Sequence, residues 1–267
     1  MPPSIVSQML RTGLYTAVIG RSVRYYQSTG STMDDVAEWA RAGADEGAVV
    51  VAETQTASRG RMGRRWISDD GNLYFSVLFR PEPDALPLLS PLAGVAVARA
   101  VRQVAGLYPT IKWPNDIMID GRKVAGILAE SALSGSRVQH AVVGIGVNIA
   151  LDVAADPEIS ATATSLNHAS ESEIDRSELL RRILQHMDAL YLDLRRGCSP
   201  IAEWRRWLDT LGQRVTVTHH GATDTGLAED IDEHGNLLLR VDAGELLTLT
   251  AGDITLRAAQ GAPAANA

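Results

Sequence analysis

E-T-Q-T-A-S-R-G-R-M-G-R-R-W-I-S-D-D-G-N, residues 53–72, is too polar and too rich in glycine to be core. The apolar run Ala48 to Ala52 leads into it and Leu73 to Phe79 leads out, so it reads as a long loop held at its base by two buried strands. Within it Arg59, Arg61, Arg64 and Arg65 are interleaved with Gly60 and Gly63. Glycine frees the backbone for positive φ and close approach, and the planar guanidinium matches carboxylate and phosphate oxygens in pairs. Such charge-assisted bonds contribute about 1.5–3 kcal/mol each when partly desolvated. The pattern predicts a loop that wraps an anion. Its plain alternative, a solvated basic loop, does not account for Arg and Gly alternating up to Trp66. Ordering the backbone costs about 1–2 kcal/mol per residue, more than four arginine contacts return, so the loop is expected to be partly structured beforehand and less ordered without its ligand.

Upstream, Ser31-Thr32 precedes M-D-D-V-A-E-W-A-R-A and Gly43, the signature of a helix. Those hydroxyls either cap the helix or, beside its free N–H groups, face a polar ligand. Downstream, Ser90-Pro91 predicts the cap and first residue of a buried helix. T-I-K-W-P-N-D-I-M-I-D-G-R-K-V-A-G-I-L-A-E, residues 110–130, contains short strands around Asp120-Gly121, a pair suited to a type I′ turn. Pro114 should bend the chain at Trp113 and splay Lys112, Asn115 and Asp116 from the sheet, with Lys123 directed to the same place. Alternatively Lys112 and Lys123 are edge-strand charges.

Residues 137–149 read as a strand with Gly144, Gly146 and Asn148 near its end, and 150–172 as a loop. Asp175 with Glu178 predicts a capping box for a helix to about Arg196, followed by a shorter helix with Trp204 and Trp207. From Gly212 the texture changes to short alternating strands, with turns at His220-Gly221, His234-Gly235-Asn236, Ala243-Gly244 and Ala251-Gly252. That predicts a small β-barrel too small to stand without docking on the rest. The expected division is 1–211, 212–257 and a disordered tail at 258–267.

Composition narrows the function classes. With 45% hydrophobic and 21% charged residues the chain is of ordinary globular type, and 25 − 32 = −7 disfavours general nucleic-acid binding. The single Cys198 excludes an intrachain disulfide, six scattered histidines lack metal-ligand spacing, and no signal or membrane-length apolar run is evident. Cytoplasmic location is the expectation.

In order, S-T at 31–32, E-x-Q-x-A-x-R-G-R-x-G-R-x-W at 53–66, K-W-P-N-D at 112–116, G-R-K-x-A-G-I-L-x-E at 121–130 and G-x-G-x-N at 144–148 closely resemble the bacterial biotin–protein ligases, over about residues 22–257. Ser58 stands where that family usually has Gly, and Met33 where Asn is common. The resemblance implies an α+β fold: a mixed-sheet catalytic domain of the biotin/lipoate ligase type with a small C-terminal SH3-like barrel. It implies ATP-dependent formation of biotinoyl-5′-adenylate, with Mg²⁺ accompanying ATP, then transfer to a lysine of a biotin carboxyl carrier domain. Carried onto matching positions, Arg59 and Arg61 would hold the biotin carboxylate and α-phosphate, and Lys123 the developing charge, with Asp116 near the reaction centre. Ser31, Thr32 and Gln55 would bind the ureido ring, with Gly126 and Gly144 lining the pocket; Trp66, Asn115 and Asn148 would meet adenine and Arg64 phosphate.

The rival activity is lipoate or octanoate ligation on the same fold. A repressor would need a DNA-binding domain ahead of Ser31, where 30 residues stand, so no DNA partner is expected. A nucleotide-binding module without chemistry is disfavoured because no G-x-x-x-x-G-K-[ST] loop is present. No membrane partner is expected, and a homodimer is left open.

Overall fold

A strand that is apolar at nearly every position must be covered on both faces, and Leu73–Phe79 is buried along its whole length. It sits third in a seven-stranded mixed sheet, in a computed structural model that describes residues 4–152, 157–219, 222–250 and 255–258. The strands are β1 (Val23–Thr29), β2 (Val49–Gln55), β3 (Leu73–Phe79), β4 (Thr110–Lys112), β5 (Asp116–Ile119), β6 (Arg122–Ser134) and β7 (Arg137–Val147), in the order β1-β2-β3-β7-β6-β5-β4. β1 and β2 are parallel; every other neighbouring pair is antiparallel.

The two faces are covered unequally. The helices are α1 (Ile5–Thr12), α2 (Thr32–Arg41), α3 (Leu89–Ala105), α4 (Pro157–Ser160), α5 (Leu166–Ser170), α6 (Arg176–Arg195) and α7 (Ile201–Trp207). α3 and α6 pack together on one face, with α1 against α6 and α7 against α3. Phe75, Val77, Ala125, Ile127 and Ile145 meet them there in the main core. On the other face α2 alone seals the sheet, setting Met33, Val36 and Ala40 against Val50, Leu78 and Val142. The part of that face built by β5, β6 and the end of β7 is left to the loop at 56–72.

The structure corrects several expectations. α1 was not foreseen. α3 begins at Leu89, not at Ser90-Pro91, because a 3₁₀ turn over Pro83–Leu88 runs straight into it and the Leu89 N–H bonds Leu86 O. Residues 150–172 are not simply a loop, since they contain α4 and α5. Between those helices the Lys123 N–H donates to Thr162 O (2.8 Å) and the Thr164 N–H to Lys123 O (2.9 Å), a tertiary pairing that composition does not signal. The Asp120-Gly121 turn has φ of 49° and 71°, as a type I′ hairpin requires. Asp175 caps α6 by accepting the Ser177 and Glu178 N–H groups, but Glu178 turns to Arg181 and Arg182 instead of completing the box.

A second, antiparallel sheet has the order β11-β10-β9-β8-β12, from β8 (Arg214–His219), β9 (Ala222–Ile231), β10 (Leu237–Val241), β11 (Leu246–Leu249) and β12 (Thr255–Ala258). Gly235 and Gly244 turn at φ 82° and 89°. The other two expected turns, at His220-Gly221 and Ala251-Gly252, lie outside the described residues, as does the expected tail except Ala258, which instead ends β12. The sheet docks as foreseen: Trp113 Nε1 donates to Gly235 O (2.9 Å), and Leu237, Leu239 and Val215 join the main core.

Two stability tests follow from these contacts. Replacing Asp175 with Ala removes an N-cap and is expected to cost about 1 kcal/mol in urea unfolding. His140, buried on β7, is held below its ordinary pKa of 6.5 by burial first and then by Arg80 and Arg41. Folding therefore favours the neutral ring, and that contribution is present above the unfolded pKa and lost as pH falls below it. The drop in unfolding free energy between about pH 7.5 and 5.5 should be smaller in His140→Gln than in the wild type.

Candidate active site

The uncovered part of the sheet forms the floor of a cavity of about 600 Å³. Its walls are the start of α2, the arginine loop, the β4–β5 turn and residues 159–163. Gly126 on β6 faces Gly146 on β7, and Asp116 on β5 stands beside Gly126 in the same cross-strand row. An ideal Cβ on Gly146 would lie 2.6 Å from the Trp66 indole, and one on Gly126 would lie 2.8 Å from it. The indole thus rests directly on sheet backbone. Its Nε1 is buried and has no hydrogen-bond partner. A Cβ on Gly144, two residues along β7, would meet Met33 at 2.7 Å, so the same absence of side chains admits α2.

At the α2 end the cavity is lined by uncharged polar groups. Ser31 occupies the N-cap position of α2 yet makes no side-chain cap bond. Gln55 Oε1 instead takes the Thr32 N–H (2.9 Å) and hydroxyl (3.1 Å), while Gln55 Nε2 donates to Ser68 (3.2 Å) and Thr32 shares a 2.8 Å bond with Ser76. Ser31, Thr32, Ser68 and Ser76 are all buried. Ser76 is the residue that sequence reading missed here. One hydroxyl inside L-Y-F-S-V-L-F was the available signal.

The opposite end is charged. Lys123 Nζ lies 2.6 Å from Asp116 Oδ1 and 5.0 Å from the Trp66 ring centroid. Lys112 and Asp116 are not splayed from the sheet as expected; they are register partners across β4 and β5, and the bend at Pro114 falls within the turn between them. Asn115 anchors that turn, its Nδ2 donating to Ile127 O (2.6 Å), and its Oδ1 accepts from Arg61 (3.2 Å). Asn148 donates to Thr164 O (3.3 Å). Arg64 has its Nη2 3.8 Å from Met62 Sδ. Arg59 does not point into open space: Asp34 and Glu130 hold it on two sides.

All the residues singled out from sequence, Ser31, Thr32, Gln55, Arg59, Arg61, Arg64, Trp66, Asn115, Asp116, Lys123, Gly126, Gly144 and Asn148, line this one cavity. Gly146 and the 159–163 segment complete it without having been assigned, and Ser76 and Ser68 support Thr32 and Gln55 from behind. Among the described residues no cluster of three His, Cys, Asp or Glu is arranged to hold a metal ion.

Residues 25–148 match the biotin/lipoate A/B protein ligase family and residues 210–257 the biotin protein ligase C-terminal domain. A biotin–[acetyl-CoA-carboxylase] ligase of Mycobacterium tuberculosis is 35% identical over 263 residues, spanning 94% of this chain and 96% of that protein. This chain belongs to the biotin protein ligase family. The bifunctional ligase/repressor BirA of Bacillus subtilis is 36% identical over 249 residues, 91% of this family member and 77% of that protein. The Aquifex aeolicus biotin protein ligase solved with biotin and ATP superposes with a TM-score of 0.78 at 28% identity, covering 90% of this chain and 100% of that one.

The glycine floor is testable within the ligase itself. Gly146→Ala inserts a methyl against the Trp66 ring and is expected to cost about 1–3 kcal/mol in denaturant unfolding. In a Trp66→Ala background the same change should cost far less, a non-additivity that locates the clash.

Proposed function

We propose that this chain joins biotin to protein in two steps within the one cavity. A carboxylate oxygen of biotin attacks the α-phosphorus of Mg²⁺-ATP and pyrophosphate leaves, giving biotinoyl-5′-AMP. The amine of an acceptor lysine then attacks the acyl carbon, AMP departs with the bonding electrons, and the amine loses a proton. The observation that carries this reading is the polarity of the cavity: neutral hydrogen-bonding groups at one end, cations at the other, and an indole between them.

Ser31, Thr32 and Gln55 offer donors and acceptors suited to a ureido ring, which the dithiolane of lipoate lacks. Gly126 and Gly144 let the Trp66 ring and Met33 lie directly on the sheet backbone beside that end. Arg61 and Lys123 reduce the repulsion between carboxylate and triphosphate, the main obstacle to the first step. Lys123 then stabilises charge on the phosphoryl and acyl oxygens, held in line by Asp116 at 2.6 Å. The Trp66 indole is the adenine contact in this reading, with Asn115 and Asn148 lining the same cavity. Arg64 takes phosphate. The expected ligand role of Arg59 requires that one of its two carboxylates first let go.

The acceptor in this reading is a biotin carboxyl carrier domain. The catalytic unit is 1–211 and the docked unit 212–257. A cytoplasmic setting agrees with the single, exposed Cys198.

Purified protein given labelled biotin and Mg²⁺-ATP should release pyrophosphate and label a carrier domain, with lipoate inert at equal concentration. Preference for lipoate would replace this reading with its rival. Lys123→Ala should keep the fold by circular dichroism and lose at least about a hundredfold in biotin-dependent pyrophosphate exchange, as removal of a transition-state donor does. Amide exchange in 58–66 should slow when biotin or adenylate is added.

A further inference from the structure

The Arg59 guanidinium lies at the mouth of the cavity between two carboxylates. Its Nε donates to Glu130 Oε1 (3.0 Å), Nη2 to Glu130 Oε2 (2.9 Å) and Asp34 Oδ1 (2.7 Å), and Nη1 to Asp34 Oδ2 (2.9 Å) and, at the limit of 3.5 Å, to Ser31 Oγ. Arginine has five N–H donors, and these contacts use all of them. An incoming carboxylate or phosphate finds no open donor here unless a bidentate pair is broken. Charge points the same way, since Arg59 with its two carboxylates forms a trio of net charge −1 that offers an anion no net attraction at this point.

The partners stand on separate elements. Asp34 is in the first turn of α2, Glu130 is on β6, and Arg59 opens the loop. Their side chains are exposed by 61%, 45% and 33%, so a single ion pair among them contributes little. Two forked pairs on one planar group nevertheless fix both its place and its orientation. Beyond Arg59 the loop is closed on itself: Ser58 Oγ donates to Trp66 O (2.6 Å) and the Gly60 N–H to Arg64 O (2.6 Å). Fixing Arg59 therefore sets where Arg61 and Trp66 lie over the floor.

We propose that Arg59 is a positioning residue that fastens loop 58–66 to α2 through Asp34 and to β6 through Glu130, and is not itself a ligand of either substrate. Its kinetic consequence rests on the adenylation reading; its structural consequence does not. The test compares wild type, Arg59→Ala, Asp34→Asn/Glu130→Gln and the combined triple variant, each free of ligand, by amide exchange of 58–66. The single and the double variant should each exchange about tenfold faster, the fold-change for losing one charge-assisted bond, and the triple no faster than either.

Steady-state kinetics separates the roles. With the carboxylates neutralised Arg59 is intact and unmasked, so as a ligand it would hold or lower KM for biotin and ATP. As a fastener its loss of partners should raise both KM values about as much as Arg59→Ala does, with kcat changed less. Unchanged exchange in the double variant, or wild-type KM values there beside a large defect in Arg59→Ala, overturns the proposal. Wild-type protein that forms no biotinoyl-AMP overturns the adenylation reading instead and leaves the exchange comparison to decide this one.

Discussion

The contact on which the site depends is that of an indole with bare backbone. Trp66 can lie against β6 and β7 only because Gly126 and Gly146 face each other across the ladder, and a methyl on either would approach the ring within 3 Å. A sheet face otherwise needs a helix to cover it. Here α2 covers one part and a single aromatic ring, carried on a loop, covers the next. The space that remains is the cavity.

This division leaves the polar and charged groups in contact at Arg59, whose guanidinium lies 3.5 Å from Ser31 Oγ. The neutral end is built by buried hydroxyls and Gln55 bonded to one another, so no unpaired charge is enclosed there. The cationic end is on the rim and on β4 to β6, where Asp116 of β5 balances Lys123 of β6 and water still reaches both. A reaction that must bring two anions together gains from such an arrangement: the cations are in place before the substrates, and little reorganisation is required as charge develops.

What was legible in the sequence was whatever local chemistry declares. Asp120-Gly121 announced its hairpin because its two positive φ values favour those residue types, and L-Y-F-S-V-L-F its doubly covered strand because alternation is missing. The arginine loop was found because glycine and arginine in alternation have no structural use, whereas the other residues of the site were reached by matching their motifs to those of the biotin–protein ligases. What stayed hidden is non-local. Residues 159–163, Ile-Ser-Ala-Thr-Ala, carry no charge and no motif, and only the pairing of Lys123 with Thr162 and Thr164 makes them a wall. Ser31 had every mark of a cap yet its side chain makes no cap bond, and the Thr32 N–H is satisfied instead by Gln55, 24 residues on. The start of α3 was misplaced for a similar reason: the preceding 3₁₀ turn serves where Ser90 was expected to.

The joint between the sheets has its own consequence. Trp113, in the motif that carries Asn115 and Asp116, is 1% exposed and hydrogen-bonded to Gly235 of the smaller sheet; Trp204, also 1% exposed, packs close by that same turn. Clipping the chain after Leu211 would strip cover from two indoles and from the apolar residues that Leu237 and Leu239 join, leaving an apolar scar beside the turn that carries Asn115. The C-terminal segment thus doubles as cover for apolar surface of the larger sheet, which a shortened chain would expose to water.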